Sequence, residues 1–232
     1  MITGDIQLPK FYDYREKYPM CKSEILDQAM CGSCWAFSSS GVLSDRMCIH
    51  SEGQINVTLS PQDMVDCDFE NFGCLGGYMI PAIDFLMTEG VTTFDCMAYM
   101  EETHEDGCSF RCDDEQKPYE KYYCRAGSLR IETDIPGMQR DIYENGPVMV
   151  GLMVYEDLYN YESGIYEYTA GQLVGGHAIR AIGWGHDDDG HLYWLVQNQW
   201  TDSWGENGYG RIKAGELGID TWTLSCMPDI IA

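Results

Sequence analysis

The sequence predicts an α+β fold, with a helical, cysteine-rich lobe followed by an antiparallel β lobe and a crevice between them as the expected site. Three observations carry that expectation. Helix starts and stops punctuate the first half of the chain. Apolar, partly alternating runs bounded by glycine and proline dominate the second half. Eleven cysteines in 232 residues, without zinc-finger spacing, add disulfides and an oxidising compartment.

Taken in order, Gly32 and Ser33 offer a start for a helix over Cys34 to Ile49. Ser60-Pro61-Gln62-Asp63 combines an N-cap, a proline at the first helical position and an acid in the first turn. The run Tyr78 to Thr88 reads as a helix stopping before Gly90, a C-cap residue. From Asp95 to Gly127 the chain is polar and loop-like, with four cysteines in place of a core. A short helix around Gly137 to Asn145 stops at Gly146-Pro147. Strands are expected over Val148 to Tyr155, His177 to Trp184, Tyr193 to Val196 and Tyr209 to Ile212, with a turn at Asp187-Asp188-Asp189-Gly190. There is no internal repeat and no low-complexity tract.

A net charge of −24 argues against nucleic acid and anionic membrane surfaces as partners, since both repel it. It reads mainly as a solvated acidic surface. No apolar stretch approaches the roughly 20 residues that span a bilayer. Met1 to Pro9 lacks the basic flank and apolar run of a signal peptide, so a mature or trimmed form is expected. Asn56-Val57-Thr58 is a glycosylation sequon, in keeping with a secretory route. The odd cysteine count leaves at least one thiol unpaired or bridged to another chain.

Cys34 is the expected free thiol. At a helix start it feels the positive end of the helix dipole, which favours the nucleophilic thiolate. Cys31-Gly32-Ser33-Cys34 read alone also fits a metal or redox pair; Gln28, Trp35 and the downstream residues favour the nucleophile. A thiol nucleophile needs a base, and a third group to orient that base. Among five histidines, His50, His104, His186 and His191 sit beside helix ends, loops and turns, whereas His177 opens an apolar strand after Gly175-Gly176. Asn198 is the orienting candidate, because its amide oxygen accepts a ring N–H without adding charge. Trp200 and Trp204 are placed to keep water off that bond.

Gln28 to Phe37, Gly175 to Gly185 and Asn198 to Gly208 resemble the three signature blocks of papain-like cysteine proteases. The separation of Cys34 and His177, 177 − 34 = 143, falls in the roughly 130–150 residues typical of that family. Gly175-Gly176-His177-Ala178-Ile179-Arg180, Asp45-Arg46-Met47-Cys48-Ile49-His50 and the stretch from Leu8 to Glu16 are similar to the cathepsin B branch. The resemblance implies a papain-like two-lobe fold with a β-barrel-like right lobe. It makes residues 1–232 one peptidase domain, with a left lobe of roughly 21–125 and a right lobe of roughly 1–20 and 126–232. It implies peptide hydrolysis through an acyl-enzyme, with Cys34 as nucleophile, His177 as base and acid, Asn198 orienting His177, and Gln28 in the oxyanion hole. Gly76 and Gly77 match the strip that pairs with substrate backbone. The resemblance also puts Trp222 at the floor of the pocket for the second residue before the scissile bond (P2), with Tyr78, Gly151 and Ala178 as its other walls, and Trp200 and Trp204 beside the histidine. Bridges carried over by position are Cys21–Cys48, Cys31–Cys74, Cys67–Cys108 and Cys96–Cys112. The pairing of Cys124 and Cys226 stays open.

Several positions depart from the branch. Its occluding loop carries a His-His pair that binds a peptide C-terminus, but here Met97 to Gly107 is short and holds only His104. An open primed side and an endopeptidase are therefore expected. Trp222 stands where an acid accepts arginine, which predicts an apolar P2 preference; a shifted alignment would bring in Asp220 instead. Gln199 replaces the usual serine, with a disturbed Asn198 as one consequence, and Ala29 replaces the usual glycine. The resemblance implies no metal or organic cofactor. As partners it implies polypeptide substrates, the protein's own propeptide (missing from this stretch) and cystatin-like inhibitors, with a monomer in a lysosome-like vesicle or secreted. The alternatives are a catalytically silent relative acting as a binding or decoy module, a disulfide-rich interaction module, and a different Cys-His hydrolase such as a transglutaminase-like fold.

Overall fold

The computed structural model describes residues 7–104 and 107–230. A two-residue strand β1 (Tyr12–Asp13) leads into α1 (Tyr14–Lys17), then α2 (Cys34–His50), α3 (Pro61–Cys67) and α4 (Met79–Thr88). After a long loop come β2 (Arg130–Glu132), α5 (Ile135–Asn145), β3 (Val148–Tyr155), β4 (Ile165–Tyr166), β5 (Leu173–His186), β6 (Leu192–Gln197), β7 (Tyr209–Lys213) and β8 (Thr223–Ser225). The predicted α+β class holds.

Helix α2 is the centre of the molecule, and all its residues except Cys34, Gly41 and His50 are buried. It is therefore not amphipathic. Its serines make burial tolerable by returning their hydroxyls to the preceding turn: Ser38, Ser39 and Ser40 donate to the carbonyls of Cys34, Trp35 and Ala36, each at 2.7 Å. The start at Ser33 is as expected, but its hydroxyl makes no cap; it pairs with Tyr99 Oη at 2.7 Å. Ser60 does cap α3, accepting from Asp63 N at 3.2 Å, with Pro61 next. Helix α4 ends as predicted, with Gly90 at φ +67° just beyond it.

The strands form one sheet in the order β2-β8-β3-β5-β6-β7-β4, with β1 on β5. Two features differ from an antiparallel, barrel-like lobe. The path is open, with no pairing of β2 to β4 among the described residues, and β4 lies parallel to β7. Short strands at both ends explain the openness, since two or three residues offer too few ladder bonds to close a barrel. Strand β5 starts at Leu173, four residues before His177, and becomes buried at His177 itself.

Two apolar clusters fill the interior. One gathers Trp35, Leu43, Met47, Met64, Ile83 and Leu86 from the helices, joined by Met149, Ala178 and Leu224 from the sheet. The other packs Ile142, Val150, Ile179, Trp184, Trp194 and Ile212, with Tyr14 and Ile49. Fully burying side chains of this size contributes about 1.5–3 kcal/mol each. Adjacent residues of opposite charge on α2 cross between them: Asp45 pairs with Arg180 on β5 at 2.6 Å, and Arg46 with Asp141 on α5 at 2.9 Å. Five disulfides are formed. Four are those implied by the resemblance, and the fifth, Cys124–Cys226, answers the pairing left open. Among the described residues, no helix is long and apolar enough to cross a membrane.

Candidate active site

The loop before α2 is folded tightly against the segment before α4. Disulfide Cys31–Cys74 joins them, Gly32 N donates to Cys74 O at 2.8 Å, and Trp35 Nε1 donates to Gly73 O at 3.2 Å. A Cβ on Gly32 would lie 2.7 Å from Cys74 O, so no larger residue fits. This packing presents Cys34, the first residue of α2 and the free cysteine.

His177 pairs across the sheet with Leu152 of β3 and is 8% exposed. Its Nε2 lies 2.9 Å from Asn198 Oδ1. The same oxygen accepts the Gln199 backbone N–H at 2.9 Å, which fixes it as the acceptor end of the amide. The ring proton therefore sits on Nε2, and Nδ1 is the nitrogen left for chemistry. Trp200 stacks on the imidazole with centroids 4.6 Å apart, Tyr159 stacks on Trp200 at 4.9 Å, and Trp204 meets Trp200 edge-on at 5.7 Å. Asn198 is 3% exposed beneath these rings.

The electrostatics oppose a single charge. Burial pushes the Cys34 thiol up, while the backbone N–H groups of Ala178, Trp35 and Cys34 itself pull the other way. Burial lowers His177 to about 4, against the Asn198 hydrogen bond, which raises it. Proton transfer from sulfur to imidazole creates both charges together, so each offsets the desolvation of the other. Cys34 packs against the apolar cluster that includes Ala178, the residue after His177 on β5.

Cys34 and His177 share one cleft of about 1470 Å³. Every other expected site residue except Asn198 lines it too: Gln28, Gly76, Gly77, Tyr78, Gly151, Ala178, Trp200, Trp204 and Trp222. Gly76 adopts φ +119°, open to few other residues. At Gly77 packing by itself requires glycine: a Cβ would lie 2.7 Å from both Trp35 and Asn71 Oδ1. The other histidines are engaged elsewhere: His50 with Asn145 O at 3.1 Å, His186 with Lys10 O at 2.8 Å, His191 with Asp187 at 3.1 Å, and His104 with the Asp66 carboxylate.

The family model for papain family cysteine protease matches residues 8–226. The chain belongs to that family. Cathepsin B-like CP1 of Giardia intestinalis is 40% identical over 211 residues, covering 90% of this protease and 69% of that protein. Cathepsin B-like cysteine proteinase 6 of Caenorhabditis elegans is 35% identical over 259 residues, covering 97% and 68%. The solved proCathepsin B S9 from Trypanosoma congolense superposes with a TM-score of 0.90 at 31% identity, over 97% of this chain and 80% of that one.

Several residues of this cathepsin B-like protease escape a reading of the sequence. Met79 lies over Gly151, whose added Cβ would be 3.1 Å from Met79 Cε. Tyr159, in a single 3₁₀ turn after β3, has no periodicity to announce it. Gln199 does not disturb Asn198 through its side chain, which turns instead toward Gln28.

Proposed function

We propose that this cysteine protease is an endopeptidase working through a Cys34 thiolate and a His177 imidazolium. The observation that carries the reading is the hydrogen bond to Asn198 made by His177, which shares its cleft with the one free thiol. Cys34 attacks the scissile carbonyl, and the tetrahedral oxyanion is met by the Gln28 side-chain amide and the Cys34 backbone N–H. His177 passes a proton to the leaving amine, then draws one from the water that hydrolyses the acyl-enzyme. Asn198 holds the ring orientation throughout.

Endopeptidase action is supported by the primed side. None of the described residues in 97–107 lines the cleft. That segment is tied down along α3: Met100 N donates to Gln62 Oε1, and His104 N donates to Asp66 Oδ1, both at 2.9 Å. With its ring also on Asp66, His104 is committed away from any peptide C-terminus. Asp27 lines the cleft as well and would repel a terminal carboxylate.

An apolar P2 preference is supported by Met79, Gly151, Ala178 and Trp222 around the cleft. Asp220 accepts from Gly215 N at 2.9 Å and does not line it. Polypeptide substrates, a propeptide that blocks the cleft, cystatin-like inhibitors and a monomeric state belong to the same reading, as does the two-lobe division proposed from the sequence. Five disulfides support an oxidising vesicle or the exterior. Internally quenched peptides with free and amidated C-termini test the reading. Equal rates are expected; a strong preference for the free carboxylate overturns it.

A further inference from the structure

Gln199 is 5% exposed, and its side-chain nitrogen makes two hydrogen bonds. Nε2 donates to Ala178 O at 2.8 Å and to Gln28 Oε1 at 3.1 Å. Backbone bonds hold the same place: Gln28 N donates to Gln199 O at 3.0 Å, and Gln199 N donates to Asn198 Oδ1 at 2.9 Å. One residue thus touches the strand after His177, the orienting asparagine and Gln28.

The direction of this chain is forced. A backbone carbonyl only accepts, so Ala178 O fixes the NH₂ end of Gln199 toward itself. The second hydrogen of that NH₂ meets Gln28, which must therefore present its oxygen. The Gln28 NH₂ is left pointing the other way, where it now donates to Cys31 O at 3.0 Å beside the catalytic loop. Turning the Gln28 amide over would set two NH₂ groups against each other. A serine, with a shorter side chain and a single donor, cannot bond both acceptors.

We infer that Gln199 is a positioning residue that locks the Gln28 amide with its NH₂ toward the developing oxyanion. The inference rests on the proposed oxyanion role of Gln28. Donors held in place before reaction are worth more than donors that must reorganise. The effect falls on kcat rather than KM, because Gln199 lies behind Gln28 and does not line the cleft.

A double-mutant cycle tests it, with Gln199→Met chosen to keep the side-chain volume. Gln28→Ala should lower kcat/KM by about 100-fold. Gln199→Met alone should lower kcat by roughly 10-fold with KM within about 2-fold, and should cost less than about 2-fold in the Gln28→Ala background. Iodoacetamide alkylation of Cys34 needs the thiolate but no oxyanion hole, so it should stay within about 2-fold in every variant. Additive losses, or alkylation falling in step with kcat, overturn the positioning role while leaving Gln28 intact. No effect of Gln28→Ala overturns the oxyanion reading itself, and this inference with it.

Discussion

Arg180 Nη1 lies 2.6 Å from Asp45 Oδ2, joining the strand that carries His177 to the helix that carries Cys34. Arg180 follows the histidine by three residues and Asp45 follows the cysteine by eleven. Ser23 Oγ and Gly41 O accept from the same nitrogen at 3.0 and 3.3 Å, and Tyr14 Oη donates to Asp45 Oδ1 at 3.3 Å. Gly41 is glycine because a Cβ would lie 2.9 Å from the guanidinium. The pair ties together the two elements that bring Cys34 and His177 to one cleft.

Removing the brace leaves a buried charge. Burial already raises the Asp45 carboxyl above its ordinary range, with Arg180 acting to lower it. Arg180→Met should destabilise the fold by about 3–5 kcal/mol near neutral pH. The sign with pH follows from the raised group: its stabilising contribution is full below the unfolded carboxyl value and is lost as pH rises through the folded one. Denaturant melts at pH 4 and pH 7 should show a smaller loss at the acid end. A loss independent of pH would assign the effect to packing alone.

Asn198 accepts the Nε2 proton and so raises His177, against burial, which lowers it. Asn198→Ala should move the basic limb of kcat/KM to lower pH, because the imidazolium then gives up its proton earlier. Asn198→Asp should move that limb to higher pH by placing a negative charge beside the ring. In the alanine variant kcat should fall by about 10-fold or more. Limbs that stay fixed in both variants would remove Asn198 from the mechanism.

Cys124–Cys226 closes a loop with a separation of 102 residues, and both cysteines are buried in the helical cluster. Chain entropy assigns a closure of that length about 4.7 kcal/mol, and measured losses run to about 2–5 kcal/mol. Cys124→Ser with Cys226→Ser should lower the unfolding free energy by that amount, read from denaturant midpoints. Activity below the transition should change little, since neither cysteine lines the cleft.

Ala29 holds φ +51°, a left-handed conformation that costs a residue with a Cβ about 1–2 kcal/mol. Its N–H donates to Asp27 Oδ1 at 2.8 Å, which keeps the turn beside Gln28. Ala29→Gly should relieve the strain, less the entropy of a freer unfolded chain, for a net gain of up to about 1 kcal/mol. Thermal melts check this, and a lower Tm would show that the turn does not need glycine.

What was legible in the sequence follows from where the signals are local. Caps at Ser60 and Gly90 and the three family blocks sit in short, contiguous stretches, and the blocks carry Gln28, Cys34 and His177, which line one cleft. Strands β1, β2, β4 and β8 are two or three residues long, and no periodicity survives at that length. The buried character of α2 was equally hidden, because its serines satisfy themselves on the backbone and leave no polar face to read. Gln199 stands out in the sequence as a departure beside Asn198, but its side chain bonds elsewhere. Its partners Gln28 and Ala178 are 171 and 21 residues away, contacts that only the fold creates.

In the proposed mechanism the sulfur of Cys34 is ionised by proton transfer to His177. The most direct measurement is the pH dependence of Cys34 alkylation by iodoacetamide, in the protease and in its His177→Ala variant. Rapid alkylation well below the roughly 8.5 at which a free thiol ionises, lost when the histidine is removed, is the result expected. A rate that rises only near that value, and is the same in both proteins, would contradict the account.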